Sequence, residues 1–436
     1  MADTAKRPNI LFLMTDEHRF DVSGFMGNPI VRTPNLDRLA KDAVIFDNAY
    51  AHNPICIPGR QCMLAGEMST TCGCKVWYDD LPANYVTFPR VLSQYGYETV
   101  AAGKLHLVGP DQMQGFTTRI GAECHVVPKY IPGLKERPRG GLDFKWSQDK
   151  EVARAGIGES YLNKEDKYAL DGLLMYIDER FLSPVYDRAM PDNPIMLTLS
   201  LNEPHYPYFT DEAKFKYYLN RVEEYENQHN FEHDFLTLFP PKASHRDMKR
   251  AMAAYYGMVE TADEYFGRVI EALENVGQNI DDWIIVYTSD HGEMLGEHNV
   301  MEKQKFYEGS VRIPLFIRYP KKFAPKRVQE NVSNIDLFAT LLDLCNTPCE
   351  KKTDSRSLTP LLSGEGEWFN EVISQFGGSN IMIKRDSLKY HFYTTSQTEF
   401  LFDLEKDPLE NVNFIEGPDN SAFVDYCRKK KAELGF

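Results

Sequence analysis

The stretch "WIIVYTSDHGE" (283–293) decides the fold. Seven mostly apolar, β-favouring residues stop abruptly at Asp290 and His291. A long run with apolar residues at three- and four-residue spacing, "HRDMKRAMAAYYGMVETADEYFGRVIEALENVG" (245–277), precedes them. That spacing predicts an amphipathic helix feeding a buried strand. The same grammar recurs along the chain. "NILFLMTDE" (9–17) reads as a buried strand delivering Asp16 at its carboxyl end, and "TPNLDRLAKDAVIF" (33–46) as a helix after Pro34 and then a strand. "VTFPRVLSQYGYETVAAGKLH" (86–106) reads as helix, turn and strand, and "PIMLTLSLNEPHYPY" (194–208) as a strand running into a polar loop. Such alternation predicts an α/β fold: a large, mainly parallel but mixed sheet sandwiched by helices. Ligands in these sheets sit beyond the carboxyl ends of the strands. Asp16, the 202–206 loop and Asp290–His291 all fall there. Residues 1–365 read as the main unit, with 110–190 as inserted loops and short helices around the site. Residues 366–436 read as a small α+β subdomain, its short strands in "EVISQFG", "SNIMIKRDSLKYHFY" and "EFLFDLEKDP" forming an antiparallel sheet before a charged helix.

The 436 residues are 42% hydrophobic and 26% charged, ordinary for a globular protein that buries a large core without staples. A net charge of −15 argues against a nucleic-acid or anionic-membrane binder, which needs a basic face. It does not exclude an anionic substrate, because a few cations in a cleft decide that. The opening has only a five-residue apolar run before charge, so no secretory signal is read, and no stretch approaches the roughly 20 apolar residues of a membrane span. The expectation is a cytoplasmic protein whose eight cysteines, including Cys72 and Cys74, are reduced thiols. Cys345 and Cys349 read as structural.

Two strand ends supply hard oxygen and imidazole donors, Asp16–Glu17 and Asp290–His291. Carboxylates converging from separate strands repel, and a divalent cation relieves that repulsion. An oxygen-rich set suits calcium, magnesium or manganese. Read singly, "TDE" also serves as a helix cap and "SDHGE" as a plain turn. "NPICIPGRQCML" (53–64) adds Cys56, with Arg60 four residues on and Pro58 between them. The residue types alone leave Cys56 as a core residue, a nucleophile, a metal ligand or the precursor of something else. Histidines 229, 233, 245 and 298 read as structural. The aromatic, acidic stretch after residue 207 offers two readings, the lining of a substrate mouth and, ahead of it, a surface helix pair with core-facing rings.

Taken together, these elements resemble the sulfatase family of the alkaline phosphatase superfamily over nearly the whole chain. "CIPGRQCMLAG" matches the C-x-P-x-R signature with its small-residue–Gly step. "AAGKLH" matches a Gly-Lys-x-His element, "NEPHYPY" a Pro-His element, and "YTSDHGEMLGEHNVMEKQKFYEGSVRIPLFI" the second metal strand with its downstream lysine. "EFLFDLEKDPLENVN" is similar to the family's closing segment. The resemblance implies an alkaline phosphatase-like sheet and hydrolysis of a sulfate monoester to alcohol and sulfate. It makes Cys56 the precursor of a formylglycine, installed by a formylglycine-generating or anaerobic maturation enzyme. The hydrated aldehyde attacks sulfur with one hydroxyl and expels sulfate with the other. By the same resemblance, Asp16, Asp290 and His291, with residue 56 and, in a lower rank, Glu17, hold a divalent ion, Ca2+ before Mg2+ or Mn2+. Arg60 orients the hydrate, Lys104 and Lys303 bind sulfate oxygens, His205 protonates the leaving alkoxide and His106 assists the diol. Gly59, Ile57 and Glu17 depart from the common family pattern. His291, where many members have Asn, leans toward the choline sulfatase and phosphonate monoester hydrolase branches. The rival readings are a phosphonate or phosphate ester hydrolase using the same site, and an inactive relative that binds sulfated ligands. The expected partner is a small sulfated substrate (sugar, choline or aryl), with a homo-oligomer left open.

Overall fold

A computed structural model describes residues 7–77, 79–121, 148–183, 193–225, 243–394 and 396–436. Its central sheet runs in the order Lys326–Ser333, Val44–Tyr50, Leu315–Arg318, Trp283–Ser289, Asn9–Asp16, Ile195–Pro204, Glu98–Gly103 and Thr118–Ile120, with Arg312–Ile313 pairing beside Val44–Tyr50. Asn9–Asp16 lies parallel to both of its neighbours, and only Leu315–Arg318 and Arg312–Ile313 run against the rest. The expected mixed, mainly parallel sheet is what the chain forms.

The pleat of the first strand divides the core. Ile10, Phe12 and Met14 face Phe88, Val91, Leu92, Leu337 and Leu341, while Leu11 and Leu13 face Leu170, Leu173, Phe266, Val269 and Ile270. Alternate residues thus seed the two helical layers. Full burial of each such side chain stabilises by roughly 1.5–3 kcal/mol. The helix His245–Asn275 is the amphipathic element predicted, capped by Ser244, whose side chain accepts from the Asp247 amide.

The 110–190 region departs from expectation where it is described. Instead of short helices only, it holds a 22-residue helix, Tyr161–Leu182, opened by a capping box between Ser160 and Asn163. Its buried stripe includes Leu162, Ala169, Leu170, Leu173 and Ile177, but also Asp166 and Arg180. Those two charges break the apolar periodicity that would have disclosed it. Residues 122–147 and 184–190 of that region lie outside the described residues, as do His229, His233 and much of the stretch after residue 225. Before that gap the chain forms the helix Glu212–Leu219, with Phe215 and Tyr218 turned inward.

The antiparallel C-terminal sheet is Glu371–Phe376, Asn380–Arg385, Leu388–Tyr393 and Thr398–Asp403, followed by the helix Ser421–Glu433. One face packs Ile381, Ile383, Tyr390 and Leu401 on Val424 and Cys427 of that helix. The other packs Val372, Met382, Tyr393 and Phe402 against Tyr50, Met294, Phe306 and Tyr307 of the main unit. At this seam Lys389 Nζ sits 2.9 Å from Glu308 Oε1 and 2.8 Å from Glu410 Oε1, fully buried. Tyr50 donates its hydroxyl to Glu308. Among the described residues, no helix is long and apolar enough to cross a membrane.

Lys389→Met removes the cation that joins two buried carboxylates. It is expected to destabilise by about 3–5 kcal/mol, read as a lowered urea midpoint. Adding Glu410→Gln is expected to recover part of the loss, because burial already pushes Glu410 up to about 8 and the amide replaces a buried acid that has lost its ammonium partner.

Candidate active site

The strand register builds the site. Thr15 pairs with Ser289, so Asp16 and Asp290 leave adjacent parallel strands side by side, both fully buried. Past Asp16 the chain turns sharply: Glu17 has φ 65°, a left-handed conformation costly for any residue that carries a Cβ. The turn lets the Glu17 amide donate to Asp290 Oδ1 (3.1 Å), tying the two strand ends together. The His291 amide donates to the same oxygen at 2.9 Å.

The third wall is the helix Cys56–Ala65, which begins at Cys56. Pro58 falls in its first turn, where its missing N–H is not needed. Gly59 has a steric cause: a Cβ there would lie 2.7 Å from the Asn53 carbonyl oxygen. This accounts for glycine at a position that departs from the common signature. Cys56 Sγ lies 3.2 Å from His291 Nε2 and 3.7 Å from Asp16 Oδ1. Burial, and then Asp16, push its thiol well above the ordinary value, so at neutral pH the sulfur keeps its proton. A buried S–H is a poor nucleophile.

Arg60 clamps the two carboxylates. Its Nε donates to Asp290 Oδ2 (2.7 Å), Nη2 to Asp16 Oδ2 (3.1 Å), and Nη1 to the Lys104 carbonyl and Ser200 Oγ (2.6 and 2.9 Å). All three nitrogens of the planar fork are thereby engaged. Lys104 adds a second cation, Nζ 2.7 Å from Asp16 Oδ2. Burial alone would raise Asp16. Lys104, foremost among the neighbouring cationic groups, holds it well below the usual carboxylate range. Burial drives His291 down and keeps its imidazole neutral, the form that binds a metal.

Across the cleft, Lys303 Nζ donates to Glu17 Oε2 (2.6 Å) and to His205 Nε2 (3.0 Å). Burial, and then Lys303, drive His205 well below its ordinary value, so Nε2 carries a lone pair toward the ammonium. His205 Nδ1 bonds the Tyr206 carbonyl. His106, with φ 58°, packs edge-on to Trp77 at 5.0 Å.

Asp16, Asp290, His291 and Cys56 each offer a donor atom, all within 4.8 Å of one another and all buried. This set of two carboxylates and one neutral imidazole fits a divalent cation. Glu17 groups instead with Asp16 and His205, its carboxylate turned to Lys303. Sequence reasoning missed Ser200, hidden in the alternation of a strand, and Tyr206, whose ring lies tilted against His205 (4.1 Å) and faces Lys303 Nζ (4.5 Å). It also missed Asp166, whose carboxylate receives the Asn202 and Glu203 amides and so shapes the loop carrying His205.

Buried opposite charges at the carboxyl ends of a mainly parallel sheet make a cleft suited to an anionic ligand. A family model described as Sulfatase matches residues 8–347, and one described as N-sulphoglucosamine sulphohydrolase, C-terminal, matches residues 296–434. The chain belongs to the sulfatase family and is a sulfuric ester hydrolase. It is 28% identical over 441 residues to the choline-sulfatase of Rhizobium meliloti (strain 1021), covering 95% of this chain and 84% of that protein. It is 29% identical over 456 residues to an arylsulfatase of Clostridium perfringens (strain 13 / Type A), covering 97% and 93%. The solved phosphonate monoester hydrolase of Agrobacterium radiobacter superposes with a TM-score of 0.78 at 23% identity, covering 98% and 95%.

Arg60→Lys keeps the charge and loses the fork. Turnover is expected to fall by about 100-fold or more, with steady-state kinetics on a sulfate ester as the readout. An unchanged rate would mean that the guanidinium does not organise the site.

Proposed function

We propose that this hydrolase cleaves a small organic sulfate monoester with a formylglycine made from Cys56, assisted by a divalent cation. The observation that carries the reading is the convergence of Asp16, Asp290, His291 and residue 56 within 4.8 Å, ringed by Arg60, Lys104 and Lys303. Three carboxylates, Asp16, Glu17 and Asp290, face those three cations. A divalent ion adds positive charge to that set, as an anionic ester requires. Asp16, Asp290, His291 and a hydroxyl of residue 56 would hold it, Ca2+ in the first place with Mg2+ and Mn2+ as alternatives. When bound it supplies Lewis-acid charge at the sulfate oxygens. The hydrated aldehyde supplies a nucleophilic hydroxyl and a second hydroxyl whose deprotonation releases sulfate.

The chain's own residues do the rest. Arg60 fixes the two metal-facing carboxylates and, through the first turn of its helix, the direction of residue 56. Lys104 and Lys303 stabilise charge on the sulfate oxygens. The Lys303–His205 pair holds a proton at the leaving oxygen, with the imidazole oriented by the Tyr206 carbonyl. His106 takes the proton from the second hydroxyl. Glu17 keeps Lys303 charged: burial works against the ammonium, and the carboxylate at 2.6 Å outweighs it. In this reading residues 1–365 make the catalytic unit and 366–436 a subdomain fused to it. Candidate alcohols are choline, sugar and aryl groups, and a dedicated maturation enzyme acts on Cys56.

The test uses protein co-produced with a maturation enzyme, its residue-56 peptide checked by mass spectrometry for aldehyde in place of thiol. On nitrophenyl sulfate, phosphate and phosphonate esters, kcat/KM for the sulfate is expected to lead by on the order of tenfold or more. The Cys56→Ala protein is expected to show no turnover. Faster phosphonate cleavage would reassign the substrate class, and turnover by a protein whose residue 56 is wholly thiol would rule out the formylglycine.

A further inference from the structure

The mechanism uses one cysteine of the segment 56–74 and leaves three. Cys62 lies six residues past Cys56, roughly 240° round the same helix. Its Sγ sits 3.7 Å from Cys72 Sγ and 3.4 Å from Ser69 Oγ, and it points at the Cys74 carbonyl at 3.9 Å. The three thiols are not arranged as a metal site: among the described residues, the groups with metal-binding spacing both belong to the active site. They differ in access and in acidity. Cys62 and Cys74 are sealed, whereas Cys72 retains 8% exposure between exposed Thr71 and Gly73. Hydrogen bonds from Cys62 and then Cys74 pull the Cys72 thiol well below its ordinary value, while burial pushes Cys62 up. An acidic sulfur on the one residue of the three that keeps any exposure, touching a fully buried S–H, is the arrangement of an attacking and a resolving cysteine.

We propose that Cys72 and Cys62 are a peroxide-reactive pair that closes a reversible disulfide behind the catalytic helix and lowers sulfatase turnover. Cys72 thiolate attacks one oxygen of hydrogen peroxide, forming an S–O bond as the O–O bond breaks and hydroxide leaves. Cys62 sulfur then attacks the resulting sulfenic sulfur, giving up its proton as water departs. Two thiols lose two electrons in all, and peroxide is reduced to water. A dithiol reductant reverses the bond by exchange.

Closure requires the sulfurs to approach from 3.7 Å to about 2.05 Å. The catalytic helix has little room to give. Its end at Gly66 abuts Phe338, where a Cβ would lie 2.6 Å from the ring's side chain, and its start is closed by Asn53 at Gly59. The single turn Ser69–Cys72 therefore moves instead. Ser69 ties that turn to the approach to residue 56: its Oγ accepts from Asn53 Nδ2 at 3.0 Å and its amide donates to His52 Nε2 at 2.9 Å. Pulling on Cys72 displaces those bonds and shifts the segment that aims residue 56.

Matured, full-length protein is exposed to hydrogen peroxide, alkylated with iodoacetamide and digested, with turnover followed in parallel. Residues 61–75 hold all three thiols between Arg60 and Lys75. The expected result is a Cys62–Cys72 bridge in the wild type and in Cys74→Ser, and none in Cys62→Ser or Cys72→Ser. Turnover is expected to fall on the order of tenfold and to return with dithiothreitol, and Cys62→Ser is expected to show no dithiothreitol-reversible loss. Cys62→Ala repeats the test should the serine fail to fold. A Cys72–Cys74 bridge, a Cys72 halted at sulfinic acid beside a free Cys62, or a bridge that leaves turnover unchanged would each overturn the proposal. The bridge is read by mass, so its failure is separable from failure of the sulfatase reading.

Discussion

Two carboxylates, Asp16 and Asp290, are brought side by side in a buried cleft, and everything around them answers that charge. Parallel pairing of Asn9–Asp16 with Trp283–Ser289 sets their spacing before any side chain is chosen. Left alone, neighbouring buried anions cost several kcal/mol. Arg60 bridges both, Lys104 pairs with one, and the Glu17 and His291 amides converge on the other. The electrostatic demand that threatens folding is also what makes the place fit for a divalent ion and an anionic ester. Stability and chemistry draw on the same charges here, so the positive-φ turn at Glu17 is tolerated.

The C-terminal sheet contributes by holding the opposite wall. Lys303 belongs to a segment that continues into Phe306, Tyr307 and Glu308. The two rings pack against the C-terminal sheet, and Glu308 is gripped by Lys389 and receives Tyr50. The Lys303–His205 contact is thereby fixed from outside the main sheet. The loop bearing His205 is fixed from the other side, by Asp166 of the long helix Tyr161–Leu182. Three separately packed elements meet at one cleft, where Lys303 joins Glu17 and His205.

The readable parts were those where apolar strands end on charged residues. Asp16, Asp290 and His291 stand out as a pair of matching strand ends, where either alone reads equally as a cap or a turn, and the structure brings them to one point with Cys56. Arg60 and Lys104 were legible only through motif context, since an isolated cation reads as solvated surface. Ser200 was invisible because a serine inside a strand fits the two-residue alternation without comment. Tyr161–Leu182 was obscured by Asp166 and Arg180, polar residues placed on its buried stripe for their contacts. The orientation of Glu17 depends on a left-handed backbone angle that no composition discloses. Nor did spacing show that Cys62 touches Cys72, because the intervening turn folds back.

A divalent ion held between two strand ends is the central claim, and metal content tests it most directly. Purified, matured protein dialysed against metal-free buffer is assayed by inductively coupled plasma mass spectrometry beside its Asp290→Asn and Glu17→Gln variants. The predicted result is close to one calcium per chain in the wild type and in Glu17→Gln, and almost none in Asp290→Asn. Full turnover by a metal-free wild type, or equal metal in the folded Asp290→Asn protein, would contradict it.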